Sequence, residues 1–362
     1  MFIKKLQLNN FRNYESEIYE FSDGINLIMG KNAQGKTNCA EAVFLLATGF
    51  SPRARRDKQV IRYGEAYAEI SATAQSRYGT LSSKIQYYKD SNKKVTINGI
   101  ETKKVGELLG NIFAVFFSPT ELKLIQESPE DRRRFIDISI SQLSKRYFYA
   151  LSKYKKILEQ RNNLLKNPDR DLVLDTLPIW DEQLALYAGE VIFWRNDFIR
   201  KLSPAAQKAH AFITDGKEDL KVTGASNYQG DAKEIALEIK QALADTVERD
   251  LVLGYTTVGP HRDDLKITLN GEDVRVFGSQ GQQRTAALSL KLAELDIYNH
   301  HFGEYPILIL DDAMSELDKS RQQRLLKLIS GVQTIVTCTH VDEDVFDGLE
   351  CRKFVVEGGK IV

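Results

Sequence analysis

The sequence predicts an α/β protein: a mixed-sheet lobe joined to a parallel-sheet core, with an α-helical lobe and a short antiparallel helical arm inserted into it. Three observations carry this expectation. GINLIMGKNAQGKT (24–37) reads as strand, glycine-rich turn and helix start. The last third alternates helix (282–298), strand (305–312), helix (319–330) and strand (333–339), the order of a parallel sheet with crossover helices. Between these parts lies a long stretch of helical periodicity. GINLIM can share a sheet with the final strands only if that stretch is an insertion.

Composition bounds the rest. At 362 residues the chain holds two domains or one domain with an insertion. Hydrophobic residues at 42% and charged residues at 28% are ordinary for a soluble protein. Lys+Arg and Asp+Glu balance at 50 each, so any nucleic-acid binding must come from local patches. Cys39, Cys338 and Cys351 are too widely spaced for a disulfide framework or a thiolate zinc site. MFIKKLQLNNFRNY has no signal-peptide core, and no apolar run approaches the ~18 residues of a membrane span. A cytoplasmic location is expected.

The elements follow in order. FIKKLQLNN alternates as a half-buried strand, GINLIM is a short apolar strand, and helical character runs from Gly35 to about Ala47. AYAEISATA, TLSSKIQYY and KVTINGIETKKV read as strands, the last folded at Asn98-Gly99, and IFAVFF (112–117) is a buried strand broken by Ser118-Pro119. In 139–165, Tyr147, Leu151, Tyr154, Leu158 and Leu165 keep a 3–4 spacing. NPDRDLVLDTLP (167–178) is expected to interrupt it, and Leu184, Tyr187, Val191, Trp194 and Phe198 resume it until Pro204. The result is a helical hairpin about 40 Å long at ~1.5 Å per residue. A third helix, DAKEIALEIKQALADTVERDL, and a hairpin at Asn270-Gly271 complete the middle.

Three motifs carry chemistry. GKNAQGKT (30–37) has the spacing of a phosphate loop. Backbone N–H groups from Gly30, Lys31, Asn32, Ala33, Gln34, Gly35 and onward to Asn38 surround the phosphates, Lys36 reaches the β- and γ-phosphates, and Thr37 offers its hydroxyl to Mg²⁺. LILDD (308–312) ends in two carboxylates: Asp311 is placed for the Mg²⁺ of the same nucleotide, Asp312 to polarise an attacking water. Alone this is an ordinary acidic strand end; the phosphate loop in the same chain gives it a role. In FGSQGQQRTAALS (277–289), Ser279 and Gly281 open a helix whose unpaired N–H groups and positive end make an anion site. By itself it reads first as an elaborate N-cap, and only the order of all the motifs favours the anion site. A second phosphate site in one chain is redundant unless it serves another molecule's nucleotide.

The order phosphate loop, long insertion, SQGQQ, acidic strand, SELD (315–318), Thr339-His340 resembles the nucleotide-binding heads of ABC-type ATPases of the SMC and Rad50 branch. The resemblance implies a P-loop ABC-type head with Ser279–Gln282 as signature motif, Ser315–Asp318 as D-loop and His340 as switch histidine. Two such heads sandwich two ATPs, each signature closing on its partner's γ-phosphate. Within that branch LQLNNFRNY, GKNAQGKTNCAEA, FFSPTELKLIQESPEDRRRFID (116–137), TTVGPHRDDL (256–265) and DDAMSELD look like the RecF family of bacterial recombination mediators, from end to end. That likeness implies ATP and Mg²⁺ as cofactors, an ATP-dependent homodimer, sequence-independent binding of single-stranded and duplex DNA, and slow DNA-dependent hydrolysis. It also implies RecR and RecO as partners in recombinase loading and the SOS response. Carried over, Lys36, Asp311, Asp312 and His340 are catalytic. Gly30 to Asn38, Ser279, Gly281, Gln282 and Asp318 bind nucleotide, with Arg12 and Asn13 of the FRN segment approaching it, and Thr37 and Asp311 hold the metal. Residues 1–117 and 300–362 would form one lobe and 118–299 the other, with the arm at about 139–203.

Two departures stand out. Asp312 occupies the place where transporter-type heads carry Glu; a side chain shorter by ~1.5 Å can cost ~10²-fold in rate, which suits a timer. No Gln follows IFAVFF; Ser118-Pro119-Thr120 is there instead, and Gln126 is left unassigned. Basic clusters at Arg53, Arg55, Arg56, Lys58 and Arg62, at Lys153, Lys155 and Lys156, and at Arg132 to Arg134 are candidates to clamp a DNA backbone, each also readable as a solvated face. Tyr147 and Tyr154 read as core, and His261 with Asp263 and Asp264 as structural. A transporter subunit would not need the long insertion or the basic clusters, and a small-molecule phosphotransferase has no use for SQGQQ or SELD.

Overall fold

The computed structural model describes every residue except 55, 103, 225, 341–344 and 347. The chain begins with β1 (Phe2–Phe11), β2 (Tyr14–Glu20), β3 (Ile25–Met29), α1 (Lys36–Thr48), β4 (Tyr67–Ser76), β5 (Gly79–Tyr88), β6 (Lys94–Ile97), β7 (Ile100–Thr102) and β8 (Ala114–Phe117). The middle runs α2 (Lys123–Gln126), α3 (Pro129–Leu143), α4 (Lys145–Leu164), α5 (Arg170–Thr214), β9 (Leu220–Gly224), α6 (Ala232–Asp245), α7 (Val247–Leu253), β10 (Leu265–Leu269), β11 (Glu272–Asp273) and α8 (Val274–Phe277). It closes with α9 (Gln280–Phe302), β12 (Ile307–Asp311), α10 (Lys319–Leu328), β13 (Thr334–Cys338), β14 (Cys351–Glu357) and β15 (Lys360–Ile361).

An antiparallel sheet in the order β2-β1-β4-β5-β6-β7 packs one face inward, as the strict alternation of buried residues along β4 requires. Asn98 and Gly99 both take positive φ, as do Asn270 and Gly271, which is the two-residue hairpin that Asn-Gly favours. The second sheet, β15-β14-β3-β13-β12-β8, is parallel apart from its terminal hairpin. β3 lies between β13 and β14, although some 300 residues separate them in sequence. The helical middle is therefore an insertion. Both faces of this sheet are covered: Ile307, Ile309 and Ile335 pack with Val43 and Phe44 of α1, while Leu308, Leu310 and Val336 join the cluster of the helical part.

The helical arm differs from expectation. Residues 167–178 do not interrupt it and Pro204 does not end it. α5 is one helix of 45 residues, about 67 Å at ~1.5 Å per residue, with Pro178 and Pro204 inside it. Asp169 starts it early by accepting a hydrogen bond from the Leu172 N–H. An interior proline costs about 3 kcal/mol. Burial of Leu177, Leu184, Ala188, Ile192, Leu202 and Ala206 among α4, α6 and α9 exceeds that, at roughly 1.5–3 kcal/mol per large apolar side chain. Helical structure also begins ten residues before 139, and Ser144 divides it by capping α4. β2, α2, β9, β14 and β15 have no counterpart among the elements expected from the sequence. Among the described residues no helix is long and apolar enough to cross a membrane.

Buried ions peg the segment 255–264 to these helices. Arg161, with no exposed surface, donates to Asp181 (2.5 Å), Asp250 (2.7 Å) and Thr256 (2.8 Å). Arg195 binds Asp137 at 2.8 Å and the Pro260 carbonyl at 2.6 Å. Arg132 forks onto Asp264 at 2.6 and 2.9 Å. The Tyr154 hydroxyl meets His261 Nδ1 at 2.5 Å, and a Cβ on Gly259, at φ +126°, would fall 2.7 Å from that hydroxyl. TTVGPHRDDL is thus a structural lock, and His261 belongs to it rather than to a metal site.

Candidate nucleotide site

β3 ends at Met29 and the chain turns through 30–35 into α1. Gly30 has φ +153°, and a Cβ there would lie 2.3 Å from the Val356 carbonyl; at Gly35, φ +122°, it would meet Asn13 at 2.9 Å. Only glycine fits either place. Gly35 caps α1 without a side chain, and no acidic residue neutralises the first turn, so the helix presents bare N–H groups and its positive end. Lys36 Nζ, nearly buried, donates to the carbonyls of Gly30 (2.6 Å) and Lys31 (2.8 Å), which holds it along the loop.

The Thr37 hydroxyl donates to Asp311 Oδ1 at 2.9 Å, and Thr337 donates to the same oxygen at 2.6 Å. Burial raises the Asp311 carboxyl above its ordinary range, opposed by these two hydrogen bonds. A hydroxyl and a carboxylate in contact are hard oxygen donors of the kind Mg²⁺ takes alongside phosphates and waters. Among the described residues no cluster of three or more His, Cys, Asp or Glu offers another metal site. Asp312 takes the left-handed conformation (φ 54°), its N–H donates to the Thr337 carbonyl at 3.1 Å, and its side chain is exposed. The two carboxylates therefore diverge. Cys338 pairs with Met29, so the exposed His340 follows β13 beside the start of the phosphate loop.

The FRN turn is fastened to the loop. Asn13 donates to the Gln34 carbonyl and accepts from Asn38, both at 2.8 Å. Arg12 donates to Glu41 through Nε (2.9 Å) and Nη2 (2.6 Å). Gln34 also receives the Gly358 N–H on its side chain at 2.6 Å, so the C-terminal hairpin braces the same loop. Lys31, Asn32 and Ala33 stay exposed.

Ser279 caps α9: its hydroxyl accepts from the Gln282 N–H at 3.3 Å, and Gln282 Oε1 accepts from the Ser279 N–H at 2.9 Å. The helix behind is anchored by buried Ala286, Leu290, Ala293 and Ile297. At Gly281 a Cβ would approach nothing nearer than Arg321 at 3.6 Å, so no contact inside the chain demands glycine. Among the described residues no hydrogen bond or ion pair joins 279–282 to 30–38. Asp318 caps α10 by accepting from the Arg321 N–H at 3.0 Å. Gln126, unassigned in the sequence, donates to Gln283 at 2.7 Å and so ties α2 to the signature helix. Only the distance to that partner, 157 residues, hid it.

The basic groups separate. Arg53, Arg56 and Lys58 are exposed on 53–62, Arg55 lies outside the described residues, and Arg53 donates to Asn38 Oδ1 at 3.1 Å. Lys153 and Lys156 are exposed on α4, and Lys155 lies 3.7 Å from Asp137. The group Arg132 to Arg134 divides, and of the three only Arg134 is exposed. Arg132 is buried on Asp264, Arg133 donates to the Asp263 carbonyl (2.6 Å) and Arg134 to the Ser51 carbonyl (3.3 Å), because α3 packs across the seam to 51–53 and 263–264.

A phosphate loop feeding α1, the Thr37–Asp311 pair joining the first turn of α1 to the end of β12, and a helical insertion leading to the capped helix α9 define a P-loop ABC-type ATPase head. Residues 2–350 match the RecF/RecN/SMC N terminal domain. The chain is 44% identical over 361 residues to the DNA replication and repair protein RecF of Lachnoclostridium phytofermentans, spanning 99% of each. It is 40% identical to that of Clostridium kluyveri, spanning 100% of this chain and 99% of the relative. The solved structure of the recombination mediator RecF with ATP superposes at a TM-score of 0.89 with 36% identity, over 100% of this chain and 97% of the other. This chain belongs to the RecF family. A solved Smc head, at a TM-score of 0.60 and 18% identity, shares the fold. The transporter alternative is set aside.

Proposed function

We propose that the chain is an ATP-gated DNA clamp of recombinational repair. Two copies pair when ATP and Mg²⁺ occupy the phosphate loop, each signature helix completing its partner's site, and the pair grips DNA at single-strand gaps or junctions. Hydrolysis is slow and stimulated by DNA; with RecO and RecR it serves recombinase loading and SOS induction. Residues 1–117 and 300–362 act as the nucleotide lobe and 118–299 as the lobe that carries the signature. Arg12, Asn13 and Gly30 to Asn38 hold the nucleotide in one chain, and Ser279, Gly281, Gln282 and Asp318 meet it from the other. Asp312 and His340 act at the γ-phosphate. Arg53, Arg55, Arg56, Lys58, Lys153, Lys155 and Lys156 supply the DNA contacts.

The observation that carries this reading is a rigid, exposed helix N-terminus with an unexplained glycine, unconnected to the phosphate loop of its own chain. Lys36→Ala is the direct test. A fluorescent ATP analogue should lose affinity by about 10²-fold, the scale of a charge-assisted phosphate contact, and light scattering should report monomers at any nucleotide concentration. Pairing that survives in this variant contradicts the gate.

A further inference from the structure

Glu41 lies on α1 one turn beyond Thr37, with no exposed surface. Its carboxylate accepts the Arg12 fork and the Ser51 hydroxyl, and Arg53 Nη1 stands 3.9 Å from it. Every group on this list leads elsewhere. Arg12 also donates to the Gln59 carbonyl at 2.8 Å, and its N–H to the Val60 carbonyl at 2.8 Å. Ser51 Oγ receives the N–H groups of Arg53 (3.0 Å) and Ala54 (2.6 Å). Arg53 reaches Asn38, which holds Asn13, which holds the Gln34 carbonyl in the phosphate loop. From the other side Arg134 of α3 donates to the Ser51 carbonyl. One buried carboxylate thus joins the phosphate loop, the FRN turn and the basic segment 51–62.

We propose that Glu41 is the positioning residue through which DNA on the basic segment and nucleotide on the phosphate loop sense each other. A carboxylate only accepts hydrogen bonds, and here its lone pairs face donors alone. Arg53 is about half exposed and shared between Glu41 and Asn38. A DNA phosphate drawing Arg53 outward frees Asn38 and shifts Asn13 against Gln34; phosphates settling in the loop fix Asn38 and hold Arg53 and the segment in place. The two sites are then linked with reciprocal affinities. This rests on the reading that DNA lies on 53–62.

Glu41→Gln keeps the shape but turns one acceptor into a donor facing a guanidinium. In the full chain, affinity for a labelled duplex oligonucleotide is measured with and without a non-hydrolysable ATP analogue, beside light scattering for pairing. In the unmodified chain the analogue should tighten DNA by about five-fold or more; in Glu41→Gln that ratio should fall by about two-fold or more, leaving the part that pairing supplies, while analogue-driven pairing persists. A purely structural role would lower both together and overturns the inference, as does an unchanged ratio. If Glu41→Gln does not fold, Ser51→Ala removes a single hydroxyl of the same junction and should lower the ratio in the same direction; no change there rejects the idea. Arg56→Glu with Lys58→Glu separates the layers. Unchanged DNA affinity in that double variant removes the DNA reading and the coupling with it. Weakened DNA with a normal ratio in Glu41→Gln removes the coupling alone.

Discussion

His261 shows how burial decides a residue's role. Its Nε2–H donates to the Thr256 carbonyl at 2.9 Å, which leaves Nδ1 to accept the Tyr154 hydroxyl, so the ring is held neutral. Burial pushes it down to about 4 from the usual 6.5, with the Thr256 carbonyl pulling the other way. Unfolded, the ring takes up a proton near 6.5; folded, it resists until about 4. Between these values the unfolded chain binds more protons, so this residue's stabilisation is complete above 6.5 and is lost as pH falls toward 4, on the order of 2–3 kcal/mol in all. Asp263 nearby, raised by burial, acts with opposite sign, so the informative quantity is a difference. Urea midpoints from pH 7.5 to 4.5 should fall more steeply for the unmodified chain than for His261→Gln. Parallel curves would mean that the native ring takes up its proton over the same pH range as the unfolded one. Sequence placed His261 beside two Asp but could not show that Arg132 and Arg195 take those carboxylates, since both arginines come from distant helices.

At the scale of elements, sequence reading worked where one local rule governed and failed where packing outvoted it. Asn98-Gly99 and Asn270-Gly271 turned as written because the turn is fixed by two residues' φ. Pro178 and Pro204 did not break α5, because the stops assumed an isolated helix, and α5 lies among α4, α6 and α9. At α9 the capping reading holds, since Ser279 accepts the Gln282 N–H, and Ser279 is also exposed, as the reading of it as an anion site for a partner's nucleotide requires. Two substitutions separate them. Ser279→Ala should cost α9 about 1 kcal/mol of stability, seen as a lower melting temperature, with pairing largely kept. Ser279→Arg carries the same loss and adds bulk and positive charge where a partner's phosphate would sit; it should bind the ATP analogue normally yet remain monomeric in light scattering. Loss of analogue binding by the isolated Ser279→Arg chain would place this helix in its own chain's site.

For the whole molecule, the insertion argument from β3 and the final strands recovered the parallel core, because a parallel strand needs a crossover and only one arrangement closes it. The C-terminal hairpin escaped it: β14 alternates weakly and shows mostly exposed residues, yet its turn at Gly358 and Gly359 braces Gln34. Both ends of the chain therefore brace the same loop, Asn13 from the first strands and Gly358 from the last hairpin. The placement of Asp312 bears on how long. Its left-handed backbone and exposed side chain set it apart from buried Asp311 and leave its carboxylate open to solvent. If it polarises the attacking water only in the closed pair, chemistry and assembly share one clock. Asp312→Asn keeps the shape and removes the basic oxygen; turnover should drop by ~10² or more, as for loss of a general base. After excess nucleotide is removed, the decay of the paired species in light scattering should lengthen by a similar factor. Slower turnover with unchanged decay would show that the pair dissociates without hydrolysis, and that occupancy rather than chemistry times the clamp.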